Sequence, residues 1–131
     1  MRAILLAISM TLISAFTLSS AFAADEITIT DFQTGVGMGC YGRCGYLDVT
    51  FKIKNIAYEK KVSVVYRDIN GEWNELEAHY SRPLENGFEE WKISTNFSER
   101  NREFEFVGKY EVQGQVYCDN NYSRNFFGIF E

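Results

Sequence analysis

An alternation of apolar and polar residues with a period of two constrains the fold of this chain most strongly. Leu47, Val49, Phe51 and Ile53 alternate with polar residues, which predicts a strand with one buried face. Further strands are predicted within 27–29, 62–66, 76–80, 88–93, 104–112, 116–118 and 126–130. No convincing amphipathic helix follows the first 23 residues. The pattern therefore predicts an all-β chain.

Turn signals separate these strands and predict the architecture. Asn70-Gly71 and Gln113-Gly114 are turn dipeptides between predicted strands. Seven or eight short strands joined by such turns are typical of an antiparallel β-sandwich. The glycines at 35, 37 and 39 are also predicted to make turns, because no Lys-Ser/Thr pair or helix follows them as in a phosphate-binding loop.

The first 23 residues have the composition of a cleavable export signal. Arg2 precedes an almost wholly apolar stretch at 3–16, and Ala21-Phe22-Ala23 fits a cleavage site. The apolar stretch is shorter than the ~20 residues that a membrane-spanning helix needs. We therefore predict a signal peptide at 1–23, a single domain at 24–131, and a secreted or periplasmic location without a membrane anchor.

Charge and aromatic content narrow the class of ligand. The net charge of −5 argues against nucleic acid and against anionic lipid, since both require a basic surface. Aromatic residues make up 16% of the chain, more than a small β domain needs for its core. Some rings are therefore expected to stand exposed for binding, and a neutral polymer is the ligand class that fits.

Three cysteines remain in this predicted exported domain. An oxidising compartment favours one disulfide, and Cys40–Cys44 is the predicted pair because both lie in one glycine-rich loop. Pairing of either residue with Cys118 is left open by the sequence. A zinc site built from the cysteines and His79 does not match common ligand spacing. No metal and no cofactor is predicted.

Two polar segments resemble the signature of a known family. Residues 54–64 resemble the K-N-x-A-[FY]-x-K-x-V-x-V motif of the starch- and glycogen-binding modules of carbohydrate-binding family 21. Residues 118–126 resemble that family's [YW]-D-N-N-x-x-x-N-[YF] motif. Trp73, Trp91 and the segment 109–114 follow the family's order between the two motifs. The resemblance covers about 47–126.

The resemblance implies an immunoglobulin-like sandwich that binds α-1,4-glucan without catalysis, and it implies the contact residues. Trp73 would stack on a glucose ring, as an exposed side chain close to the Asn70-Gly71 turn. The other implied contacts of this main site are Asn55, Lys109, Asp119, Asn120, Tyr122 and Asn125. Asp119 is expected mainly to organise its loop, and Asn55 either to touch sugar or to brace a loop. A second, weaker site is implied at Tyr58, Lys60, Tyr80 and Glu89, whereas Trp91 is predicted to lie in the core.

The chain departs from the family pattern at three positions. Cys118 replaces a Tyr or Trp, Tyr122 replaces an Asn, and Val107 stands where some members have a stacking Tyr. The main site is therefore expected to retain one aromatic platform, Trp73, with Tyr122 as a candidate replacement ring.

Two other functions, a glycosidase and a protein-binding module, compete with glucan binding as interpretations of the sequence. Glycosidases place two carboxylates across a cleft, and a chain formed almost wholly from the binding module leaves no room for a catalytic domain. We therefore predict a non-enzyme that acts as a stand-alone exported module, with α-glucan polysaccharide and a separate amylolytic enzyme as partners. The alternative is an exported immunoglobulin-like adaptor or inhibitor that binds protein, since fold alone does not determine function.

Overall fold

The computed structural model describes residues 25–38, 42–98 and 102–130, which form nine strands. In chain order the strands are β1 (Ile27–Met38), β2 (Arg43–Lys54), β3 (Lys60–Arg67), β4 (Trp73–Glu77), β5 (His79–Pro83), β6 (Phe88–Phe97), β7 (Arg102–Val112), β8 (Gln115–Asp119) and β9 (Phe126–Phe130). One short 3-10 turn, Glu85–Gly87, connects β5 to β6. The predicted all-β class is confirmed.

The strands form two antiparallel sheets. The first sheet has the order β1-β2-β6-β5, and the second has the order β4-β3-β7-β8. Strand β9 pairs with the first half of β7, and β8 pairs with the second half. Because β8 and β9 follow one another along the same edge of β7, the connection at 120–125 must leave that edge and return to it as a loop.

The core lies between the sheets and is built by the predicted alternation. The largest fully buried side chains include Leu47, Val49, Phe51, Ile53, Val62, Val64, Phe104, Phe106 and Tyr110. The Tyr110 hydroxyl donates a hydrogen bond of 2.8 Å to the carbonyl of Lys54. Burial raises the pKa of Tyr110, so this hydroxyl stays protonated and remains a donor at neutral pH.

Within the described ranges, no helix is both long enough and apolar enough to cross a membrane. The predicted signal peptide lies outside these ranges.

One predicted strand proves to be two. The segment 76–80 was expected to form a single strand, but β4 belongs to the second sheet and β5 to the first. The chain changes sheet at Ala78, which is buried and donates its amide to the carbonyl of Val62. The period-two pattern continues through this crossing because both flanking strands face the same interior, so periodicity could not reveal the change of sheet.

The prediction that the glycine run makes turns is wrong for Gly35 and Gly37, which lie inside β1. Gly35 is directly opposite Tyr46 in the sheet. A Cβ atom at position 35 would lie 2.8 Å from the Tyr46 ring, so the absence of a side chain leaves room for that ring. Close packing of a neighbouring ring, and not a turn, accounts for this glycine.

The structure describes two of the three cysteines. Cys44 is buried near the start of β2, whereas Cys118 is an exposed, unpaired thiol on β8. Cys40 lies outside the described residues, so the Cys40–Cys44 disulfide stays a prediction. Desolvation raises the pKa of the Cys118 thiol, and the charge of Lys109 opposes this effect. Because the pKa is raised, the thiol stays protonated at neutral pH.

Candidate functional site

The turn between β3 and β4 fixes the position of Trp73. The Asp68 carboxylate accepts hydrogen bonds of 2.9 Å from the amides of Asn70 and Glu72, and it also accepts 2.7 Å from the side chain of Asn74. These contacts brace the turn immediately before Trp73. The indole is 43% exposed, which confirms its predicted exposure.

Trp73 belongs to a continuous outward surface of the second sheet. We call this surface the tryptophan face and define it by Trp73, Arg67, Glu105, Asn125 and Lys109. The Arg67 guanidinium lies 5.1 Å from the centre of the Trp73 ring, and its Nη1 lies 3.8 Å from Glu105 Oε2. Asn125 Nδ2 donates to Glu105 Oε1 at 2.8 Å. Side-chain contacts therefore connect the Trp73 ring, at one edge of this face, to the Asn125 amide near its other edge.

Lys109 lies on the same face within a group of charges. Its Nζ is 2.7 Å from Glu111 Oε1 and 3.5 Å from Glu75 Oε2. The hydrogen bond to Glu111 raises the pKa of Lys109, against the opposing effect of burial. The hydrogen bond from Ser63 lowers the pKa of Glu75, with help from nearby lysines. These groups are charged at neutral pH and suit hydrogen bonding to hydroxyl groups.

Asp119 organises the loop at 120–125 from inside the protein. Its carboxylate accepts 2.7 Å from the amide of Ile29 and 3.2 Å from the amide of Asn121. Asp119 is only 4% exposed, so it cannot present its oxygens to a ligand. The expected role in organising the loop is therefore confirmed, and its inclusion among the sugar contacts is corrected.

The loop at 120–125 has an uncommon backbone. Asn121, Tyr122 and Ser123 all have positive φ, at 51°, 56° and 70°, and Asn125 has a φ of 57°. Tyr122 and Ser123 each cost roughly 1–2 kcal/mol in this conformation, which asparagine tolerates more readily, so surrounding contacts must hold the loop in place. Asn120 contributes one of them, since its Oδ1 accepts from the amide of Ser123 at 3.1 Å. Tyr122 is exposed on this loop.

The residues predicted for the second site lie together. Tyr58, Lys60, Tyr80 and Glu89 line a groove of about 630 Å³, and the structure adds Glu59 and Trp91 to its lining. We call this the edge groove. Its volume is typical of small-ligand sites.

Charge neutralisation and ring packing shape the edge groove. Lys60 Nζ lies 3.1 Å from Glu89 Oε2, with 4% and 15% of the two side chains exposed. Trp91 Nε1 donates to the same oxygen at 3.0 Å. Trp91 was predicted to be a core residue; it does pack on the core, but its ring also lines the groove and meets Tyr80 edge-on at 6.0 Å.

Asn55 lies beside the edge groove, because its Oδ1 accepts a hydrogen bond from Lys60. It was predicted to join Trp73 in the main site. Lys60 begins β3 and Arg67 ends it opposite Trp73, so about 23 Å of strand separates the two regions. Asn55 therefore braces the groove lysine, and the prediction that it shares a site with Trp73 is corrected.

Arg67, Glu105, Glu59 and Trp91 were not among the predicted contacts. Arg67 pairs directly with Trp73 across the hairpin, so counting back from the turn would have indicated it. Trp91 and Glu89 are two residues apart on one strand face. A carboxylate on that face indicates that the face is not fully buried. Glu105 and Glu59 carried no comparable signal.

Two of the positions that depart from the family pattern, Val107 and Cys118, lie on the same outward side of the second sheet as Trp73. Val107 pairs with Val65 and is half-buried, and Cys118 pairs with Lys109. Neither can stack on a sugar, so Trp73 lacks an aromatic partner at both positions. Among the described residues, no group of three or more His, Cys, Asp or Glu is arranged to hold a metal ion.

Exposed rings beside hydrogen-bonding amides and charged side chains, displayed on a β-sandwich, define a carbohydrate-binding module. The starch-binding domain of Rhizopus oryzae glucoamylase, solved with β-cyclodextrin and maltoheptaose, matches at 31% identity and a TM-score of 0.62. The match covers 82% of this chain and 96% of that domain. The chain belongs to carbohydrate-binding module family 21, the starch- and glycogen-binding modules.

Two further comparisons support this assignment. A circularly permuted module of family 21 matches at 27% identity and a TM-score of 0.51, covering 72% of this chain and 82% of that one. Glucoamylase 1 of Rhizopus oryzae is 43% identical over 79 aligned residues, and the alignment covers 56% of this chain but only 13% of the glucoamylase. No protein-family model matches the chain. The matched solved structures are binding modules, in agreement with the prediction of a non-enzyme.

Proposed function

We propose that this protein binds α-1,4-glucan, namely starch, glycogen or maltooligosaccharides, as a stand-alone exported module that supports a separate amylolytic enzyme. The observation that carries the proposal is the line of contacts from Trp73 through Arg67 and Glu105 to Asn125. An indole offers a flat apolar surface for the C–H face of a pyranose. The amide and charged groups beside it can bond to the ring hydroxyls.

The edge groove is proposed as a second glucan contact. Tyr58 is 97% exposed and Tyr80 is 52% exposed, so both rings are accessible at the mouth of the groove. Export is proposed from the signal-like composition of residues 1–23. The solved R. oryzae domain was bound to β-cyclodextrin and maltoheptaose, which supports α-linked glucose as the ligand class.

Retention of the purified protein on raw starch tests the proposal, with cellulose and chitin as control matrices. Selective retention on starch is expected. Trp73→Ala should weaken retention at least tenfold, since burying such a ring is worth about 1.5–3 kcal/mol. Ile69→Ala is the matched control, because it removes an exposed apolar side chain from the same hairpin. Equal, negligible retention on all three matrices would reject glucan binding and favour a protein partner.

A further inference from the structure

A row of side chains crosses the tryptophan face from one edge strand to another. Trp73 on β4 pairs with Arg67 on β3, and Glu105 on β7 pairs with Phe127 on β9. The ion pair between Arg67 and Glu105 joins the two halves of this row. An exposed aromatic ring therefore stands at each end, Trp73 at one and Phe127, 46% exposed, at the other.

A depression beside this row exposes its polar centre. It measures about 150 Å³ and is lined by Arg67, Asp68, Glu103, Glu105 and Phe127. The Phe127 ring forms its apolar part, while the remaining lining offers guanidinium donors and carboxylate acceptors. Ile129 is equally exposed on the same strand and face, yet it does not line the depression.

The spacing of the two rings fits an extended ligand. Three interstrand steps separate β4 from β9, which is about 14 Å at the usual strand spacing. A single sugar ring cannot contact both platforms across that distance. A chain of several sugar units can do so, with its hydroxyls over Arg67 and Glu105.

We propose that Phe127 is the second aromatic platform of this site and that the ligand lies across the strands as an oligosaccharide. The inference rests on the proposed glucan binding. It replaces the expectation of a single platform, because Phe127 supplies the ring that Val107 and Cys118 do not. Arg67 and Glu105 become the polar contacts between the platforms.

Calorimetric titration with maltose and with maltoheptaose tests the proposal. Phe127→Leu keeps an apolar side chain on β9 but removes the flat ring. It should weaken maltoheptaose binding at the tryptophan face about tenfold, and it should change maltose binding less than twofold. Phe127→Tyr should bind both ligands like the wild type. Ile129→Ala, the matched control, should do the same.

Three other results would overturn the inference in distinguishable ways. If Phe127→Leu binds maltoheptaose like the wild type while Trp73→Ala does not, Phe127 is no platform and glucan binding stands. If the wild type binds neither sugar, the proposed function fails together with the inference. A Phe127→Leu protein that loses affinity for both sugars equally would also reject a role specific to long ligands.

Discussion

The tryptophan face around Trp73 and the edge groove lie towards opposite ends of β3 and are built differently. The groove is concave, and its Lys60 and Glu89 neutralise each other beneath the rings. The face is open, and its polar groups bond to one another across β3, β7 and the loop at 120–125. The groove thus depends on packing against the core, whereas the face depends on surface ion pairs and on the loop at 120–125.

The support of each region indicates how it should fail. Trp91 packs on the core and lines the groove, so folding of the sandwich forms that wall directly. Asn125 reaches the face from a loop in an unfavourable backbone conformation, which Asp119 holds from inside. Substitutions should therefore disable one region without the other.

The largest expected effect is at Asp119. Asp119→Ala leaves the buried amide of Ile29 without its acceptor and releases the loop, so the free energy of unfolding should fall by about 3 kcal/mol. Urea denaturation measures this loss. Asp119→Asn, which keeps one oxygen, should lose about half as much. Unchanged stability with lost starch binding would instead make Asp119 a ligand contact.

A smaller effect is expected at the ion pair of the groove. Lys60→Met leaves Glu89 partly buried with Trp91 as its remaining charge-stabilising partner, so unfolding should become easier by about 2 kcal/mol. The double variant Lys60→Met/Glu89→Gln should recover part of that loss. If both variants are as stable as the wild type, the ion pair does not stabilise the groove.

The independence of the two regions can be tested by counting ligands. The wild type should bind two short maltooligosaccharides per protein, and Tyr80→Ala should bind one, with about a tenfold loss at the groove. Calorimetric stoichiometry measures this number. Ile129→Ala, an exposed apolar position on β9 that does not line the groove, serves as the control. A stoichiometry of one in the wild type would show that the regions do not bind separately.

The smallest effect concerns the acid stability of the tryptophan face. The Ser63 hydrogen bond lowers the pKa of Glu75 below its ordinary value of 4.5. A lowered folded-state pKa adds stability above pH 4.5, and this contribution disappears as the pH falls through the folded-state pKa. Glu75→Gln should lower the free energy of unfolding at neutral pH by a few tenths of a kcal/mol and flatten the acid limb of a plot of Tm against pH. Ser63→Ala, which removes the hydrogen bond and keeps the carboxylate, should flatten that limb as well.

The sequence predicted the sheets better than it predicted the contacts. Alternation located the buried faces of β2, β3 and β7 because burial of one strand face leaves a period-two signal. It could not reveal the crossing at Ala78, where the alternation continues into the other sheet. The predicted strand at 62–66 lies between Asn55 and Trp73 in the sequence and so already places them at opposite ends, which means that their assignment to one site came from the family resemblance and not from the alternation.

Family resemblance located the groove residues but not the links between strands. Arg67 and Glu105 are 38 positions apart and meet only because β3 and β7 pair. Phe127 likewise lies beside Glu105 only because β9 pairs with β7. Such groups become recognisable once register is known, since register decides which side chains share a row.

The hydrogen bond between Ile29 and Asp119 has a consequence for the order of folding. Its two partners are 90 positions apart, so closing this contact restricts a very long stretch of chain. Contacts of such separation form slowly, and we expect this one to form after the hairpins have paired. In a newly collapsed molecule, Trp73 would then reach its native position before the asparagine side chains of the loop at 120–125. The complete tryptophan face would therefore form last, when Ile29 near the start of the domain bonds to Asp119 near its end.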